Sequence, residues 1–392
     1  FPLWNNQEVY GVRPDVRIMN TSYLGGEWYI DEMKTRANDA APVPFTLPRS
    51  KYAFVNDMVR VIPKVERPVD IREAMDFFRS EDPRTKVPLV DGTTIDYLPA
   101  QRLALPVNKD NAIAAGIVKE EDRDLMVDTV YLNLRRGVLD KSELMVIDLL
   151  SNFDWKRPIH FTQVYILQNL GLTDYLQFDG YSYRLVPILT PYDRRVGEIG
   201  RIDPDVIYPL LMETFRYGNV SDPRVYVDNF IQYNLMASGA REAFARAAKA
   251  FLRRGGEGDR DKAVALLDAG LEKMPPAQIR YTFSNTFPFL EAYYAAGEME
   301  KGDALLLSYA ENLMQYLDYY LAFEGVQGDM VSGLIDDKLD ELGQIYLLAG
   351  YAGRRDAVAR LNDYYRTLGA TDEDLLHVDA PGEPTDSLLP IP

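Results

Sequence analysis

The second half of the chain consists of helical segments that are separated by short glycine breaks. From Asp203-Pro204 to about Leu368 the pattern is helical and prolines are few, and breaks fall at Gly255-Gly256, Gly297 and Gly350. Glycine just after a helical segment ends it, because glycine readily adopts the left-handed conformation. The pattern predicts three helical hairpins: Arg241–Arg254 with Asp261–Lys273, Ile279–Ala296 with Lys301–Tyr320, and Asp336–Ala349 with Arg355–Leu368.

Two of these breaks share a local pattern. The segment Tyr293–Gly297 is similar to Tyr346–Gly350, and a small residue follows each in the next helix, Gly302 or Ala304 in one case and Ala357 in the other. An aromatic residue, a turn glycine and a small residue where helices touch are typical of tetratricopeptide repeats. The spacing is irregular and exceeds the ~34 residues of the regular repeat. We therefore predict a tetratricopeptide-like, all-α array over residues 204–370.

The first part, residues 1–203, mixes helical and strand-like segments and predicts an α/β domain. Two stretches, residues 3–20 and 142–162, each contain a helical segment, an Arg-Pro pair and a strand-like segment in that order. They predict neighbouring strands of one small sheet. The predicted helices are Leu3–Tyr10, Glu27–Ala37 and Ser142–Phe153, and the predicted strands are Val16–Asn20 and Ile159–Thr162. Residues 41–48 and 87–106 are proline-rich and predict loops and short strands. Asp91-Gly92 predicts a tight turn, and Asp179-Gly180 predicts a hairpin between Tyr175–Phe178 and Tyr181–Ile188.

Composition excludes several classes of function. The net charge of −17 repels phosphate backbones, so we expect no nucleic-acid partner. The chain has no cysteine, which removes disulfides and thiolate chemistry. No apolar run reaches the ~18 residues of a membrane helix, so we expect no membrane span in this chain. The acidic, proline-rich tail, residues 371–392, predicts disorder.

Most catalytic signatures are missing from the sequence. Neither a phosphate-binding loop, a nucleophile elbow nor a zinc motif is present, so we predict no catalytic, cofactor-binding or metal-binding residue and no cofactor. His377 falls in the tail, and His160 falls on a predicted strand, where a structural role is favoured. The acidic runs Glu120–Asp124 and Asp336–Glu341 predict solvated surfaces, and a cation site is the alternative.

Aromatic residues are abundant, with 26 tyrosines, 16 phenylalanines and 3 tryptophans. Their usual role is to fill a core, and the alternative is a sugar-stacking surface. All the tryptophans fall in the first part of the chain. Trp4, Trp28, Trp155 and His160 are therefore the candidate surface residues.

The N-terminal segment resembles a known family. Phe1–Arg17, then Asn20 and Trp28–Asp31, and later Trp155–Phe161, are similar to segments of a bacterial family of polytopic membrane proteins long listed as of unknown function. That family is related to protein O-mannosyltransferases and resembles lipid-linked sugar transferases of the GT-C class. In such proteins the catalytic acidic motif lies upstream of this segment.

The resemblance implies an extracytoplasmic accessory domain of a membrane-embedded glycosyltransferase of the protein O-glycosylation type. It implies a place on the periplasmic side of the bacterial inner membrane, the membrane part of the same protein as a partner, and an acceptor protein or peptide as another. The fragment alone is expected to be inactive. A stand-alone tetratricopeptide-like protein-binding scaffold is the alternative hypothesis. An independent enzyme acting on sugars is the third hypothesis.

Overall fold

The computed structural model describes residues 2–53, 57–90, 92–192, 198–232 and 239–376. The chain divides into two compact units. The first comprises Phe1–Gln177 with Ser182–Arg201, and the second comprises Phe178–Tyr181 with Ile202–Pro392. The first unit is α/β and the second is helical, which confirms the predicted fold class. The predicted domain boundaries stay a prediction, because compactness does not establish that a unit folds by itself.

Short helices and three small sheets make up the first unit. The helices are α1 (Pro2–Tyr10), α2 (Glu27–Met33), α3 (Ile71–Arg79), α4 (Lys109–Ala114), α5 (Lys141–Ser151) and α6 (Tyr165–Leu170). The strands are β1 (Met58–Val61), β2 (Val69–Asp70), β3 (Lys86–Pro88), β4 (Thr94–Leu98), β5 (Arg102–Pro106), β6 (Thr129–Asn133), β7 (Val138–Asp140), β8 (His160–Phe161), β9 (Leu176–Phe178) and β10 (Tyr183–Leu185). The sheet orders are β3-β4-β1-β7, β8-β10-β9 and β2-β5-β6.

Strand pairing in these sheets is mixed. β1 runs parallel to β4 and antiparallel to β7, where Val59 pairs with Leu139. β5 runs parallel to β2 and antiparallel to β6, where Leu103 pairs with Leu132. These four residues are buried, so the core lies along the centre of the two sheets.

The helix α5 crosses the core of the first unit. Asp140 and Glu143 form a capping box at its start, each side chain accepting from the backbone amide of the other residue. Leu144, Ile147 and Leu150 are fully buried, as their helical spacing predicts. The predicted helix over Ser142–Phe153 is thus confirmed, with bounds that differ by one or two residues.

Several other predictions for the first unit are confirmed. Leu3–Tyr10 is helical, and Gly11 ends the helix with a φ of +66°. β8 lies inside the predicted strand Ile159–Thr162, and β9 and β10 form the predicted hairpin, with Gly180 at a φ of +89° in its turn. Residues 87–106 hold short strands, and α2 ends four residues before the predicted Ala37. Asp91 lies outside the described residues, so its turn is not described.

The predicted strand Val16–Asn20 is wrong, and so is the sheet that it was to share with residues 159–162. Residues 16–20 have no regular structure, and β8 pairs with β10 instead. The side chain of Gln7 donates to the carbonyl oxygens of Arg13 and Val16, both at 2.7 Å. These bonds fold the segment back on α1, so its backbone does not join a sheet.

The second unit is built from helices. They are α7 (Pro204–Pro209), α8 (Asn229–Ile231), α9 (Glu242–Arg254), α10 (Asp259–Lys273), α11 (Phe283–Ala295), α12 (Met299–Leu321), α13 (Gly325–Tyr351) and α14 (Arg355–Thr367). A π-helical turn, Leu210–Thr214, continues α7. Left-handed Gly255 and Gly297 separate the helices of the first two hairpins, which confirms the first two predicted hairpins.

The third predicted hairpin is correct in its pairing and wrong in its bounds. α13 begins at Gly325, eleven residues before the predicted Asp336, and Gly350 lies inside it. The break falls at Gly353, which has a φ of +65°. The acidic residues Asp336–Glu341 therefore lie in the middle of a helix and not in its first turn.

A buried arginine joins the first two hairpins. Arg241 is fully buried, and it donates to the carbonyl oxygens of Met274 and Ile279 at 2.6–3.1 Å and to the side-chain oxygen of Asn285 at 3.2 Å. Burial lowers the pKa of Arg241 to about 10. Asn285 also caps α11 together with Thr282. The guanidinium group thus satisfies the carbonyl groups of the turn between α10 and α11.

Candidate functional site

An aromatic cluster on the first unit is the best-formed surface feature that includes predicted site residues. Trp4 on α1 stacks on Tyr23 with ring centroids 6.0 Å apart, and Tyr23 contacts Trp28 at 6.2 Å and Tyr29 at 5.6 Å. Trp28 and Tyr29, at the start of α2, meet edge to face at 5.4 Å. We call Trp4, Tyr23, Trp28 and Tyr29 the aromatic surface.

The base of the aromatic surface is fixed by local hydrogen bonds. The backbone amide of Asn20 donates to the hydroxyl of Tyr29 at 2.8 Å, and the side chain of Asn20 accepts from the amide of Ser22 at 3.0 Å. Burial raises the pKa of Tyr29, so its hydroxyl stays neutral. Trp28 is 61% exposed above this base. An indole ring exposed above such a base offers an apolar face to a ligand or a partner.

The helix α1 adds exposed apolar side chains beside the aromatic surface. Leu3 and Tyr10 are more than half exposed and lie seven residues apart, hence on one side of the helix. Gln7 lies between them on the same side of the helix and is buried, and its bonds to Arg13 and Val16 anchor α1 there. Exposed apolar side chains that gather in one place mark interaction surfaces more often than singly scattered ones do.

An ionic group borders the aromatic surface on α2. Arg49 pairs with Asp31 and with Glu27, the latter at 3.4 Å. The hydroxyl of Tyr52 donates to Asp31 at 2.5 Å, and Lys34 donates to that hydroxyl at 3.1 Å. Burial lowers the pKa of Lys34 and raises the pKa of Tyr52. Both carboxylates are engaged by Arg49, so they can orient polar groups of a ligand but are not poised as a free acid and base pair.

The structure separates the predicted site residues. Trp4 and Trp28 meet around Tyr23, but Trp155 is fully buried, packs on Phe153 at 4.7 Å and donates to the carbonyl oxygen of Pro106 at 2.9 Å. Its prediction as a surface residue is therefore wrong, because the indole ring fills the core. His160 is exposed on β8, and its Nδ1 lies 3.2 Å from the hydroxyl of Ser182.

Tyr23 and Tyr29 are members of the aromatic surface that the sequence reasoning missed. The signal was present, since Tyr23, Trp28 and Tyr29 fall within seven residues around Gly25-Gly26. A Cβ at Gly26 would lie 2.7 Å from Nε1 of Trp28, so a larger residue there would force the indole ring to shift. His377 lies outside the described residues.

Each acidic run has a residue that is engaged by basic or hydroxyl groups. Arg123 binds Glu120 and Asp110, and Glu341 accepts from Tyr309 and from Lys338. In the part of the chain that the structure describes, no three acidic or histidine side chains gather in a way that could hold a metal ion.

The second unit carries an exposed apolar stripe. Val326, Met330 and Leu334 are 76%, 79% and 45% exposed and lie four residues apart on α13, hence on one face. Asp329 and Asp337 are exposed three residues after Val326 and Leu334, so carboxylates flank the stripe. We call Val326, Met330 and Leu334 the α13 stripe.

The fold and these surfaces define a two-unit protein, α/β and then helical, whose main surface feature is aromatic and apolar. The chain belongs to the family described as TMEM260-associated domain 2, whose model matches residues 1–206. The match includes the whole aromatic surface and ends within α7. No curated protein and no solved structure matches the chain. None of the helices formed by the described residues is long and apolar enough to cross a membrane.

Proposed function

We propose that the chain is an extracytoplasmic accessory domain of a membrane-embedded glycosyltransferase that uses a lipid-linked sugar donor, of the protein O-glycosylation type. It would lie on the periplasmic side of the bacterial inner membrane and would be inactive alone. Residues 1–203 would form the α/β domain, residues 204–370 a tetratricopeptide-like array, and residues 371–392 a tail. The family membership links the domain to TMEM260, and the resemblance described above relates it to protein O-mannosyltransferases.

One observation carries this proposal. The residues of the N-terminal resemblance gather at one surface: Trp4 and Trp28 both contact Tyr23, Asn20 holds Tyr29, and Asp31 borders them. Residues that only supported the core would not place an indole ring 61% exposed. We assign this surface to contact with the membrane part of the same protein, which would orient the helical array toward an acceptor protein or peptide.

The proposal is tested in cells that make the full-length parent protein. Trp28→Ala is expected to reduce O-glycosylation of acceptor proteins, measured by mass spectrometry, while immunoblotting shows an unchanged level of the parent protein. Tyr226→Ala is the matched control, because Tyr226 is an exposed aromatic residue of the second unit. Equal glycosylation in both variants would count against the proposal.

A second test concerns the gene. The coding sequence upstream of Phe1 is expected to encode several apolar segments of about 20 residues, the length that crosses a bilayer. An acidic motif is expected on one of the loops between them. An upstream sequence with no such segment would refute the membrane-embedded parent and leave a stand-alone scaffold.

The α13 stripe favours a second candidate function, a tetratricopeptide-like scaffold that binds protein. Apolar side chains flanked by carboxylates, in a chain of net charge −17, fit a helix with one apolar and one basic face. A synthetic leucine- and lysine-containing amphipathic peptide is the probe. Met330→Ser should weaken its binding several-fold, whereas Leu347→Ser, at another exposed position of α13, should not. Equal binding to both variants would exclude the stripe as the site.

A further inference from the structure

Two arginines from distant segments meet at one turn of the first unit. Arg17 donates through Nη2 to the carbonyl oxygen of Glu32 at 3.1 Å. Arg157 donates through Nη1 to the carbonyl oxygens of Ala41 and Pro42, both at 3.2 Å. The backbone amide of Val43 donates to the carbonyl oxygen of Met33 at 2.9 Å, so residues 32–33 and 41–43 are neighbouring stretches. Arg17 therefore binds the first of these two stretches, and Arg157 binds the stretch beside it.

Neither arginine is neutralised by a carboxylate of the described residues. Asp15, the acidic residue nearest to Arg17 in the sequence, is already held by Arg13 through two bonds of 2.7 and 2.8 Å. Nε of Arg17 is buried and has no hydrogen-bond partner in the described structure. Burial, and after it the like charge of Arg17, lower the pKa of Arg157. Two adjacent cations without a counter-charge are unfavourable in a folded protein unless an anion joins them.

The backbone around this pair is in an uncommon conformation. Arg13, Asn38 and Trp155 have φ values of +52°, +49° and +64°, and they are the non-glycine residues with positive φ among those described. One lies in each of the three segments that meet here, which are residues 13–17, 32–43 and 155–157. Left-handed backbone at residues other than glycine persists where the surroundings fix it, and it gathers at functional sites.

Hydrogen bonds fix these segments to one another and to the rest of the first unit. The amide of Asp39 donates to the carbonyl oxygen of Pro14 at 3.2 Å, and the side chain of Asn38 donates to Glu8 at 3.0 Å. Trp155 is anchored in the core by its bond to Pro106. The backbone segments that carry the two arginines are thus fixed by the fold.

We propose that Arg17 and Arg157 form a binding site for a phosphate or diphosphate group. The planar guanidinium group presents a fork of donors that matches phosphate oxygens, and a doubly charged anion would neutralise both arginines at once. It would also give Nε of Arg17 an acceptor. The inference rests on the arginine pair alone and does not depend on the proposed glycosyltransferase function. A lipid headgroup and a soluble phosphate ester share the required chemistry.

The test uses inorganic pyrophosphate and isothermal titration calorimetry on the chain. Arg157→Gln and Arg17→Gln are expected to weaken binding roughly tenfold or more, the loss that one charge-assisted hydrogen bond produces. Arg84→Gln is the control, because Arg84 is an exposed arginine paired with Asp82, and its removal changes the net charge equally. Equal affinity of all three variants, or no binding by the unsubstituted chain, would overturn the proposal.

Arg17→Lys guards against a folding defect in the glutamine variant. Lysine keeps a cationic donor for the carbonyl of Glu32 but lacks the fork, so the variant should fold, by circular dichroism, and bind pyrophosphate several-fold more weakly. Unchanged affinity would count against the site. Vesicles of phosphatidylcholine with and without phosphatidic acid separate the two sources. Vesicle binding that needs phosphatidic acid and is lost in Arg157→Gln identifies a lipid headgroup. Binding of pyrophosphate without binding of these vesicles identifies a soluble phosphate compound.

Discussion

The carboxylate of Asp148 accepts hydrogen bonds from both the backbone amide and the hydroxyl of Thr46, at 2.7 and 2.9 Å, although 102 residues separate the two. It also accepts from the amide of Leu47 at 3.1 Å and from Arg79 at 2.9 Å. Asp148 is fully buried on α5. A buried carboxylate is tolerated only when its hydrogen bonds are complete, so this group fixes the proline-rich segment 41–48 onto the core.

Asp148→Ala is therefore expected to lower the free energy of unfolding by about 3–5 kcal/mol, because it removes the buried acceptor of two backbone amides and of the partly buried Arg79. Urea denaturation measures the change. Asp76→Asn is the control, since exposed Asp76 pairs with the same Arg79 and should cost no more than about 0.5 kcal/mol. Similar losses in both variants would show that the buried position of Asp148 is not what matters.

Arg241→Met is expected to destabilise the second unit by roughly 3 kcal/mol or more, because the carbonyl oxygens of Met274 and Ile279 lose their donors while they remain buried. The measurement is chemical denaturation followed by circular dichroism at a helical wavelength. Arg224→Met, at an exposed arginine paired with Asp222, should have little effect. A neutral result for Arg241→Met would mean that water or a shift of the turn replaces the guanidinium group.

Acid should weaken the first helical hairpin through Asp259. Its carboxylate accepts from Arg254 at 2.7 and 2.8 Å and from the amide of Gly256 at 2.9 Å, and the bonds from Arg254 lower the pKa of Asp259 to about 2. The unfolded chain has an Asp pKa of about 3.9. Since the folded pKa is the lower one, the stabilisation is present above about pH 4 and is lost as the pH falls toward about 2.

Asp259→Asn should thus be less stable than the unsubstituted chain at neutral pH and lose less stability between about pH 4 and 2. Thermal unfolding at several pH values measures both effects. Asp261→Asn, at an exposed residue of the same helix, should leave the acid profile unchanged. An acid profile that is identical in the Asp259→Asn variant would assign the loss to other carboxylates.

Two glycine-to-alanine changes in the helical unit should have opposite signs. A Cβ at Gly302 would lie 2.5 Å from a ring carbon of Tyr294, so Gly302→Ala should cost roughly 1–3 kcal/mol through overpacking. Nothing lies within 4 Å of a Cβ at Gly333, so Gly333→Ala should stabilise the exposed part of α13 by roughly 0.5–1 kcal/mol. Thermal unfolding of both variants checks the pair. Stabilisation by both changes would mean that α11 and α12 separate easily.

Local signals made the helical unit predictable. Glycine at 255 and 297 ended two helices where the left-handed conformation is needed, and Gly302 marked a close approach of helices, as expected. The start of α13 was missed although Val326, Met330 and Leu334 have a helical spacing. Gly325, Gly328 and Gly333 lie among them, and glycine is a weak helix former. The predicted helix end at Gly350 was wrong. Glycine is tolerated inside a helix at a cost of about 1 kcal/mol, and α13 continues through Gly350 to Tyr351.

The candidate surfaces depended more on tertiary contacts. Trp4 and Trp28 could be singled out from the sequence, but their meeting around Tyr23 depends on the folding back of α1, which Gln7 fixes. Residues 16–20 have the composition of a strand, but in the described structure their backbone does not pair with another strand. Their arginine, Arg17, meets Arg157 across the fold, and no pattern in either segment predicts that meeting.

The four residues Phe178–Tyr181 belong to the second unit although residues on both sides of them belong to the first. Within the second unit, the guanidinium group of Arg246 lies 3.9 Å above the ring of Phe178, and Tyr181 contacts Phe215 at 4.8 Å. A gene fragment that starts at residue 202 would therefore omit part of the helical unit. A gene rearrangement that moved the helical unit into another protein would have to include residues 178–181 as well as the residues from 202 onward. The helical unit and the β9–β10 hairpin would therefore be inherited together.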